Sequence, residues 1–217
     1  IVLERGERVL KPFDADVVEH LVAASEDAGI DVRTGHCVSS IEQTGNGLAA
    51  VCDDDGRRCE GDLIVHGAGR VASIDGLDLE AAEVESDEGG VKVDGHLRSV
   101  SNQRVYAAGD VSATAGPPLT PVSAMEARVV AENLLRGAEA TPDYRGVASV
   151  VFTVPPLGAV GMTEAQARDA DVPCRVKFRD ISDWKLMRQL GCRHAAVKTI
   201  VNEKTGELLG AHLFAPR

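Results

Sequence analysis

The stretch that decides the fold is VYAAGDV at 105–111, GPPLTP at 116–121 and VSAMEARVVAENLLR at 122–136. Its first piece predicts a short buried strand, Val105 to Ala108, which is closed by Gly109 and Asp110. A carboxylate at the carboxyl end of a buried strand, followed by a helix whose amino end points back at it, is a ligand-binding arrangement. Asp110 is therefore predicted to accept from a sugar or ribityl hydroxyl, the alternative being an ordinary strand and helix of another α/β protein.

The last piece of the stretch predicts an amphipathic helix that runs to Arg136. Thr120 is suited to cap it, Pro121 suits its first position, and Gly137 is expected to end it. Its apolar side is predicted to consist of Ala124, Val130, Ala131, Leu134 and Leu135. The amino end of such a helix can stabilise negative charge that develops on a bound ring.

This stretch resembles the second FAD-binding segment of the pyridine-nucleotide disulfide oxidoreductases, which include glutathione reductase, dihydrolipoamide dehydrogenase and mercuric reductase. The resemblance implies that Asp110, beside Gly109, binds the ribityl chain of FAD. It also implies that the helix start faces the flavin pyrimidine ring, with FAD contacts at Pro118, Leu119, Thr120 and Pro121.

The N-terminal part of the chain predicts a contribution to a nicotinamide-nucleotide site. Ile1 to Leu3 predicts the end of a parallel strand, and an acidic residue such as Glu4 at that place accepts from adenosine ribose hydroxyls. Glu4 would repel a 2′-phosphate and so favours NAD over NADP, although the neighbouring cation Arg5 suits a phosphate. The resemblance places the backbone of Val38 beside the adenine, and places Gly69, in the run GAGR at 67–70, near the nicotinamide nucleotide.

Periodicity and turn residues predict the other elements of the chain. Asp14 is expected to cap a helix with an apolar face of Val17, Val18, Leu21, Val22 and Ala28. Strands are expected at 31–34, 38–44, 48–52, 57–60 and 62–66, with a turn at 53–56. The last of these is almost wholly apolar and suits a central parallel position.

The C-terminal part predicts an antiparallel sheet. Strands are expected at 149–153, 175–180, 195–201 and 208–214, and Thr163 is expected to cap a short helix at 164–170. The run FTVPPLGAVGMTE at 152–164 resembles the opening of the family's interface domain. The implied fold is therefore α/β and α+β, with a partial Rossmann-like NAD(P)-binding domain at 1–104, the C-terminal segment of the FAD-binding domain at 105–140 and a partial dimerisation domain at 141–217.

Length and composition limit the classes of function. The chain has 217 residues, a net charge of −11 and five cysteines. The acidic balance argues against a nucleic-acid partner, and no apolar run approaches the ~20 residues of a membrane span. An odd number of cysteines without a Cys-x-x-Cys pair predicts reduced thiols and a cytoplasmic protein. A start at Ile1 without a signal peptide suggests a fragment cut inside a domain.

The family's chemistry requires parts that the sequence does not supply. These are the Gly-rich FAD motif with its redox cysteine pair, the Gly-x-Gly-x-x-Gly turn and the C-terminal His-Glu pair, so no catalytic residue and no metal ligand is predicted. The first hypothesis is a fragment of a homodimeric FAD-dependent NAD(P)H:disulfide oxidoreductase that is inactive alone and purifies colourless. The alternatives are a short non-catalytic nucleotide-binding and dimerising module, or a flavoenzyme of the mercuric reductase or NADH oxidase type.

Overall fold

The computed structural model describes residues 1–53, 56–137 and 139–216. The chain divides into two compact units, Ile1–His66 with Ala148–Arg217, and Gly67–Val147. In chain order, the first unit begins with β1 (Val2–Leu3), α1 (Ala15–Asp27), β2 (Val32–Arg33), β3 (Val38–Gln43), β4 (Leu48–Cys52) and β5 (Arg58–Gly61). The second unit contains a short 3-10 helix (Asp75–Leu77), β6 (Ser86–Asp87), β7 (Gly90–Lys92), β8 (Ser112–Ala113) and α2 (Thr120–Arg136). The first unit then resumes with β9 (Ala148–Val151), β10 (Leu157–Gly161), α3 (Glu164–Asp169), β11 (Cys174–Asp180), α4 (Lys185–Gln189), β12 (Ala196–Asn202) and β13 (Leu208–Phe214).

The beginning of the chain forms the predicted β-α-β arrangement. Strand β1 pairs in parallel with β2, and α1 connects them. Asp14 caps α1 by accepting from the N–H of Asp16, as predicted. Strands β3, β4 and β5 then form an antiparallel meander in that order. Two residues of the predicted turn at 53–56, namely 54 and 55, lie outside the described residues, and no disulfide forms in the part of the chain described.

The C-terminal sheet contains the four strands predicted for it and a fifth, β10, that was not predicted. Its five strands are ordered β11-β12-β13-β10-β9, and every neighbouring pair is antiparallel. Thr163 and Gln166 form a capping box at the start of α3. Helix α1 packs on this sheet through a core of Val17, Val18, Leu21, Leu157, Ala196 and Phe214. Burial of each valine, leucine or phenylalanine side chain of this core stabilises the fold by about 1.5–3 kcal/mol, so the core holds α1 against the sheet.

The central parallel strand predicted at residues 62–66 is wrong. The segment has no strand structure, and the side chains of Leu63 and Val65 are 78% and 83% exposed. Strands β1 and β2 pair with each other, and no strand in the described residues pairs with this segment. An apolar sequence forms a parallel strand only where another strand takes its backbone hydrogen bonds, and here none does.

The second unit is built on a small mixed sheet. Strand β7 pairs antiparallel with β6 and parallel with β8. The strand predicted at 105–108 is also wrong, because only an isolated antiparallel bridge joins Tyr106 to Arg98. This segment nevertheless contributes to the unit's core, in which Val84, Val91 and Ala107 pack together.

Helix α2 is confirmed as a helix, but its predicted cap and apolar face are wrong. The cap position is held by Leu119, which offers no side-chain acceptor, so Thr120 lies inside the first turn. The buried residues are Val122, Glu126 and Asn133, whereas Leu134 and Leu135 are 64% and 84% exposed. The buried side instead carries two polar residues with hydrogen-bond partners outside the helix. Glu126 accepts from a backbone N–H and two hydroxyls, and Asn133 bonds backbone groups. Gly137 ends the helix as predicted.

No helix in the described part of the chain combines the length and apolar character that a membrane crossing needs.

Candidate functional site

A cavity in the second unit lies where β8, the loop before it and α2 meet. Its volume is about 580 Å³. Its lining residues lie within 70–73, 88–89, 109–118 and 122–126, and they include Arg70, Asp110, Ser123 and Glu126. Gly109, Asp110 and Pro118, three of the residues predicted as FAD contacts, therefore line one open space.

Gly109 gives the loop before β8 its shape. Its φ is +77°, in the left-handed region that favours glycine. A Cβ at this position would lie 2.9 Å from the Oγ of Ser123 on α2, so the loop backbone passes close against the helix. This close approach brings Asp110, the next residue, to the rim of the cavity.

Asp110 is available to a ligand at the rim of the cavity. Its side chain is 48% exposed, and its Oδ2 lies 3.5 Å from a guanidinium nitrogen of Arg70, which is 74% exposed. Such a long, solvent-exposed ion pair contributes little energy, at most about 1 kcal/mol. The carboxylate can therefore exchange this contact for a hydroxyl donor without a large cost.

The amino end of α2 opens on the same region. A smaller cavity of about 420 Å³ is lined by Asp110, Pro118, Leu119, Thr120 and Ser123, together with Gly109, Arg70 and Ala108. Because no side chain caps α2, its first-turn amides keep their partial positive charge and can face an electron-rich ligand. Pro121 stands in this first turn of α2 but does not line either cavity.

A buried glutamate supports the loop from beneath. Glu126 is 1% exposed. Its Oε2 accepts from the N–H of Gly109 at 2.6 Å, and its Oε1 accepts from the hydroxyls of Thr114 at 2.9 Å and Tyr144 at 2.6 Å. The Oγ of Ser112 lies 3.4 Å from Oε2, but it has a shorter bond, of 2.7 Å, to the carbonyl of Gly109.

Tyr144 is the donor that comes from the segment after α2. Burial, and then its hydrogen bond to the Glu126 carboxylate, raises the pKa of Tyr144 to about 12. The phenol therefore keeps its proton, and remains a donor, throughout the physiological range. Its ring also packs against Gly116, where a Cβ would lie 2.5 Å from a ring carbon.

The predicted nicotinamide-nucleotide contacts are divided between the two units. Glu4 and Val38 belong to the first unit and Gly69 to the second. The Oε1 of Glu4 accepts from the N–H of Gly6 at 2.7 Å. Val38 is the first residue of β3, and Gly69 adopts a φ of +99°. Their role in nucleotide binding stays a prediction.

The sequence analysis did not identify Glu126 or the amide and hydroxyl donors around it. No role was predicted for Glu126, because the buried side of α2 was predicted from its apolar residues alone. The available signal was the spacing, since Glu126 follows the buried Val122 by four residues and so lies on the same face of α2. Tyr144, Ser112 and Thr114 carry no local pattern that would mark them as its partners.

Comparison with known proteins identifies relatives over the whole chain. A family model described as pyridine nucleotide-disulphide oxidoreductase matches residues 1–127, and one described as the dimerisation domain of the same family matches residues 147–217. A Staphylococcus aureus protein described as an uncharacterized 19.7 kDa protein in mercuric resistance operon is 42% identical over 64% of this chain and 77% of its own length.

Two longer relatives give the same result. A mercuric reductase from Staphylococcus aureus is 32% identical over 99% of this chain and 39% of its own length. The solved structure of the HOCl-induced flavoprotein disulfide reductase RclA from Escherichia coli matches with a TM-score of 0.83 and 27% identity, over 99% of this chain and 48% of that one. The chain thus spans half or less of the length of these two reductases.

Proposed function

Because the chain belongs to the pyridine nucleotide-disulphide oxidoreductase family, we propose that it forms part of an FAD-dependent NAD(P)H:disulfide oxidoreductase. The observation that carries this proposal is the position of Asp110 beside the uncapped amino end of α2, on the rim of one cavity. In this reading, Asp110 accepts from the ribityl chain of FAD, and the α2 amides face the flavin ring.

The residues present fit the ribityl and ring portion of FAD. The Asp110 oxygens can accept from hydroxyl groups, and Gly109 allows the backbone to come close to a ligand. Pro118, Leu119, Thr120 and Pro121 form the loop and first turn that would border the ring. Bound FAD supplies two-electron chemistry between a nicotinamide and an acceptor disulfide. The contribution of these residues is to bind and orient it.

The choice of pyridine nucleotide belongs to the first unit. We propose NAD as the preferred form, because the Glu4 carboxylate suits ribose hydroxyls and opposes a 2′-phosphate. Its existing bond to the N–H of Gly6 holds the carboxylate next to the end of β1. Val38, in the same unit, would contribute a backbone contact to this nucleotide.

The whole enzyme is proposed to act as a cytoplasmic homodimer on a disulfide or a related acceptor. The match of residues 147–217 to a dimerisation domain supports the homodimer. A mercuric reductase among the relatives makes a metal-ion acceptor a further option within this class. The chain on its own is expected to be inactive.

A second candidate function is a short non-catalytic module that binds nucleotide or dimerises. The similarity to a 19.7 kDa protein, which this chain matches over 77% of its length, favours this candidate. Mass spectrometry of the endogenous protein distinguishes the two, since a native species of 22.9 kDa favours the module and a much larger one favours the enzyme.

Titration of the chain with FAD tests the proposed flavin site. We expect the chain to purify colourless and to bind added FAD weakly, with NMR shifts of the Gly109 and Val122 amides. Asp110→Ala should abolish these shifts, whereas Asp75→Asn, which changes an exposed carboxylate of the same unit, should not. Shifts that are absent, or that persist unchanged in Asp110→Ala, would contradict the proposal.

A further inference from the structure

Glu126 is an unusual residue for the interior of the second unit. It is buried to 1% exposure, yet no cation lies among its hydrogen-bond partners in the described residues. Burial of a carboxylate is costly unless hydrogen bonds replace its hydration. An apolar side chain at this position of α2 would avoid that cost, so the groups that Glu126 holds require explanation.

The two oxygens of Glu126 divide the surrounding loop between them. Oε2 takes the N–H of Gly109, which lies at the beginning of the loop. Oε1 takes the hydroxyl of Thr114, near the end of the loop, and the hydroxyl of Tyr144, beyond α2. One side chain therefore joins both ends of the loop and the segment that follows the helix.

We propose that Glu126 is the positioning residue of the flavin site. It fixes the conformation of the segment from Gly109 to Gly116, which includes β8, so that Asp110 stands at the cavity. This inference rests on the proposed function. Glu126 bonds the amide of Gly109, the residue that precedes Asp110, and it makes no bond to Asp110 itself. It therefore acts on the ligand through the backbone and leaves the Asp110 oxygens to the ligand.

The geometry of Gly109 shows why an anchor is needed. Glycine at a φ of +77° has more conformational freedom to lose than any other residue. The short bond from its N–H to a carboxylate fixes the Ala108–Gly109 peptide, and the carbonyl of Gly109, in the peptide that leads into Asp110, accepts from Ser112. Without the bond to Glu126, Asp110 would move relative to the amino end of α2. The carboxylate and the helix amides would then no longer face the same ligand.

Amide hydrogen exchange tests the positioning role in the full chain. Glu126→Met keeps the volume but removes the acceptors, and Glu126→Gln keeps one acceptor. Loss of a charge-assisted bond is expected to speed exchange of the Gly109 amide about tenfold in Glu126→Met, with partial rescue in Glu126→Gln. The Ala107 amide, which bonds the Leu97 carbonyl, is the internal reference for unfolding of the unit.

Tyr144→Phe and Glu132→Gln complete the set of variants. Tyr144→Phe removes one donor only and serves if Glu126→Met does not fold. Glu132 is an exposed residue of the same helix that pairs with Arg136 at 3.2 Å, so Glu132→Gln should leave Gly109 exchange unchanged. Equal Gly109 exchange in Glu126→Met and wild type, relative to Ala107, would overturn the proposal.

FAD titration separates this inference from the proposed function. We expect the apparent FAD affinity to fall about tenfold in Glu126→Met and to recover partly in Glu126→Gln. Unchanged affinity in Glu126→Met, with binding lost in Asp110→Ala, would overturn the positioning role and leave the flavin site standing. A wild-type chain without FAD-dependent shifts would instead contradict the proposed function and, with it, a positioning role for flavin.

Discussion

Each of the two units contains a buried charge, and the two charges are balanced in opposite ways. Lys198 in the first unit is 2% exposed and contacts carboxylate oxygens of Asp14 at 2.8 Å, Asp16 at 2.7 Å and Glu164 at 2.7 Å. Glu126 in the second unit is equally buried, but its partners are neutral N–H and O–H groups. One charge is balanced by charges and the other by dipoles.

The partners of each charge indicate what it does. Lys198 on β12 bonds Asp14, which lies 184 residues away in the sequence, and so it fastens the start of α1 to the C-terminal sheet. Asp14 also accepts from the N–H of Glu164, at the start of α3. The partners of Glu126 lie at most 18 residues from it and belong to one loop and its surroundings. Lys198 thus joins distant segments, whereas Glu126 shapes a local site.

Removal of Lys198 should produce the largest loss of stability. Lys198→Met leaves Asp14 buried beside two other carboxylates without a counter-charge. Loss of one partner of a buried ion pair costs about 3–5 kcal/mol in free energy of unfolding, which urea denaturation would measure. Lys177→Met, at an exposed site on the neighbouring strand β11, should change it by less than about 0.5 kcal/mol. Equal losses in the two variants would show that the cluster does not hold the unit.

Acidification should remove part of the same stabilisation. Burial acts to raise the pKa of Asp14, but hydrogen bonds from Lys198 and the Glu164 N–H outweigh it, so the pKa lies below its ordinary 3.8. Lys198, and then Arg168, lower the pKa of Glu164 below 4.5. Carboxyl groups of lowered pKa contribute stability that is complete above their unfolded pKa and is lost as pH falls through the folded one.

The pH profile of unfolding measures this loss. The free energy of unfolding of the wild type should fall as the pH drops below 4.5, and the fall should be smaller in Lys198→Met. The share of this loss that comes from Asp14 and Glu164 should not exceed the effect of Lys198→Met, because protonation weakens the same contacts. A profile with the same slope in both proteins would assign the acid sensitivity to other groups.

Loss of a neutral donor should have a smaller effect than loss of a counter-charge. Tyr144→Phe removes one of the donors to Glu126 while the others remain, and we expect a cost of about 1–2 kcal/mol in free energy of unfolding. The only other tyrosine, Tyr106, offers the matched control, since its recorded ring contact is with Arg98 and Tyr106→Phe keeps the ring. If Tyr144→Phe cost as much stability as Lys198→Met, a charge balanced by neutral donors would not differ from one balanced by opposite charges.

The sequence predicted the regular part of the fold because its signals are local. Alternation and turn residues located four of the five strands of the C-terminal sheet but not β10, and Thr163 marked the start of α3. The failed strand at 62–66 shows the limit of such signals. Its apolar residues favour a buried strand, but a strand also needs a neighbouring strand for its backbone hydrogen bonds. No local sequence pattern shows whether such a neighbour exists.

The two buried charges were missed for a different reason. Ala196, Lys198 and Ile200 alternate on one face of β12 at 0%, 2% and 0% exposure, so the strand period does place Lys198 inward. Its carboxylate partners are far away in sequence and cannot be inferred from the period. For α2, the apolar residues predicted a side that is exposed in the structure. The buried side carries polar residues that bond the neighbouring segments. The expectation for Asp110 rested on a strand at 105–108 that does not form, but the turn at Gly109 still brings Asp110 to the rim of the cavity.

The smallest expected loss of stability is that of Asp16, the most exposed carboxylate that contacts Lys198. Asp16 contacts the same ammonium group as Asp14 and at a similar distance, but its side chain is 43% exposed and that of Asp14 only 3%. Solvent screens an exposed pair, so Asp16→Asn should cost less than about 1 kcal/mol by urea denaturation. Asp14→Asn should cost more, because Asp14 also caps α1 and accepts from Glu164. If Asp16→Asn cost as much as Asp14→Asn, total charge around Lys198 would govern its stability, and burial would not distinguish the two carboxylates.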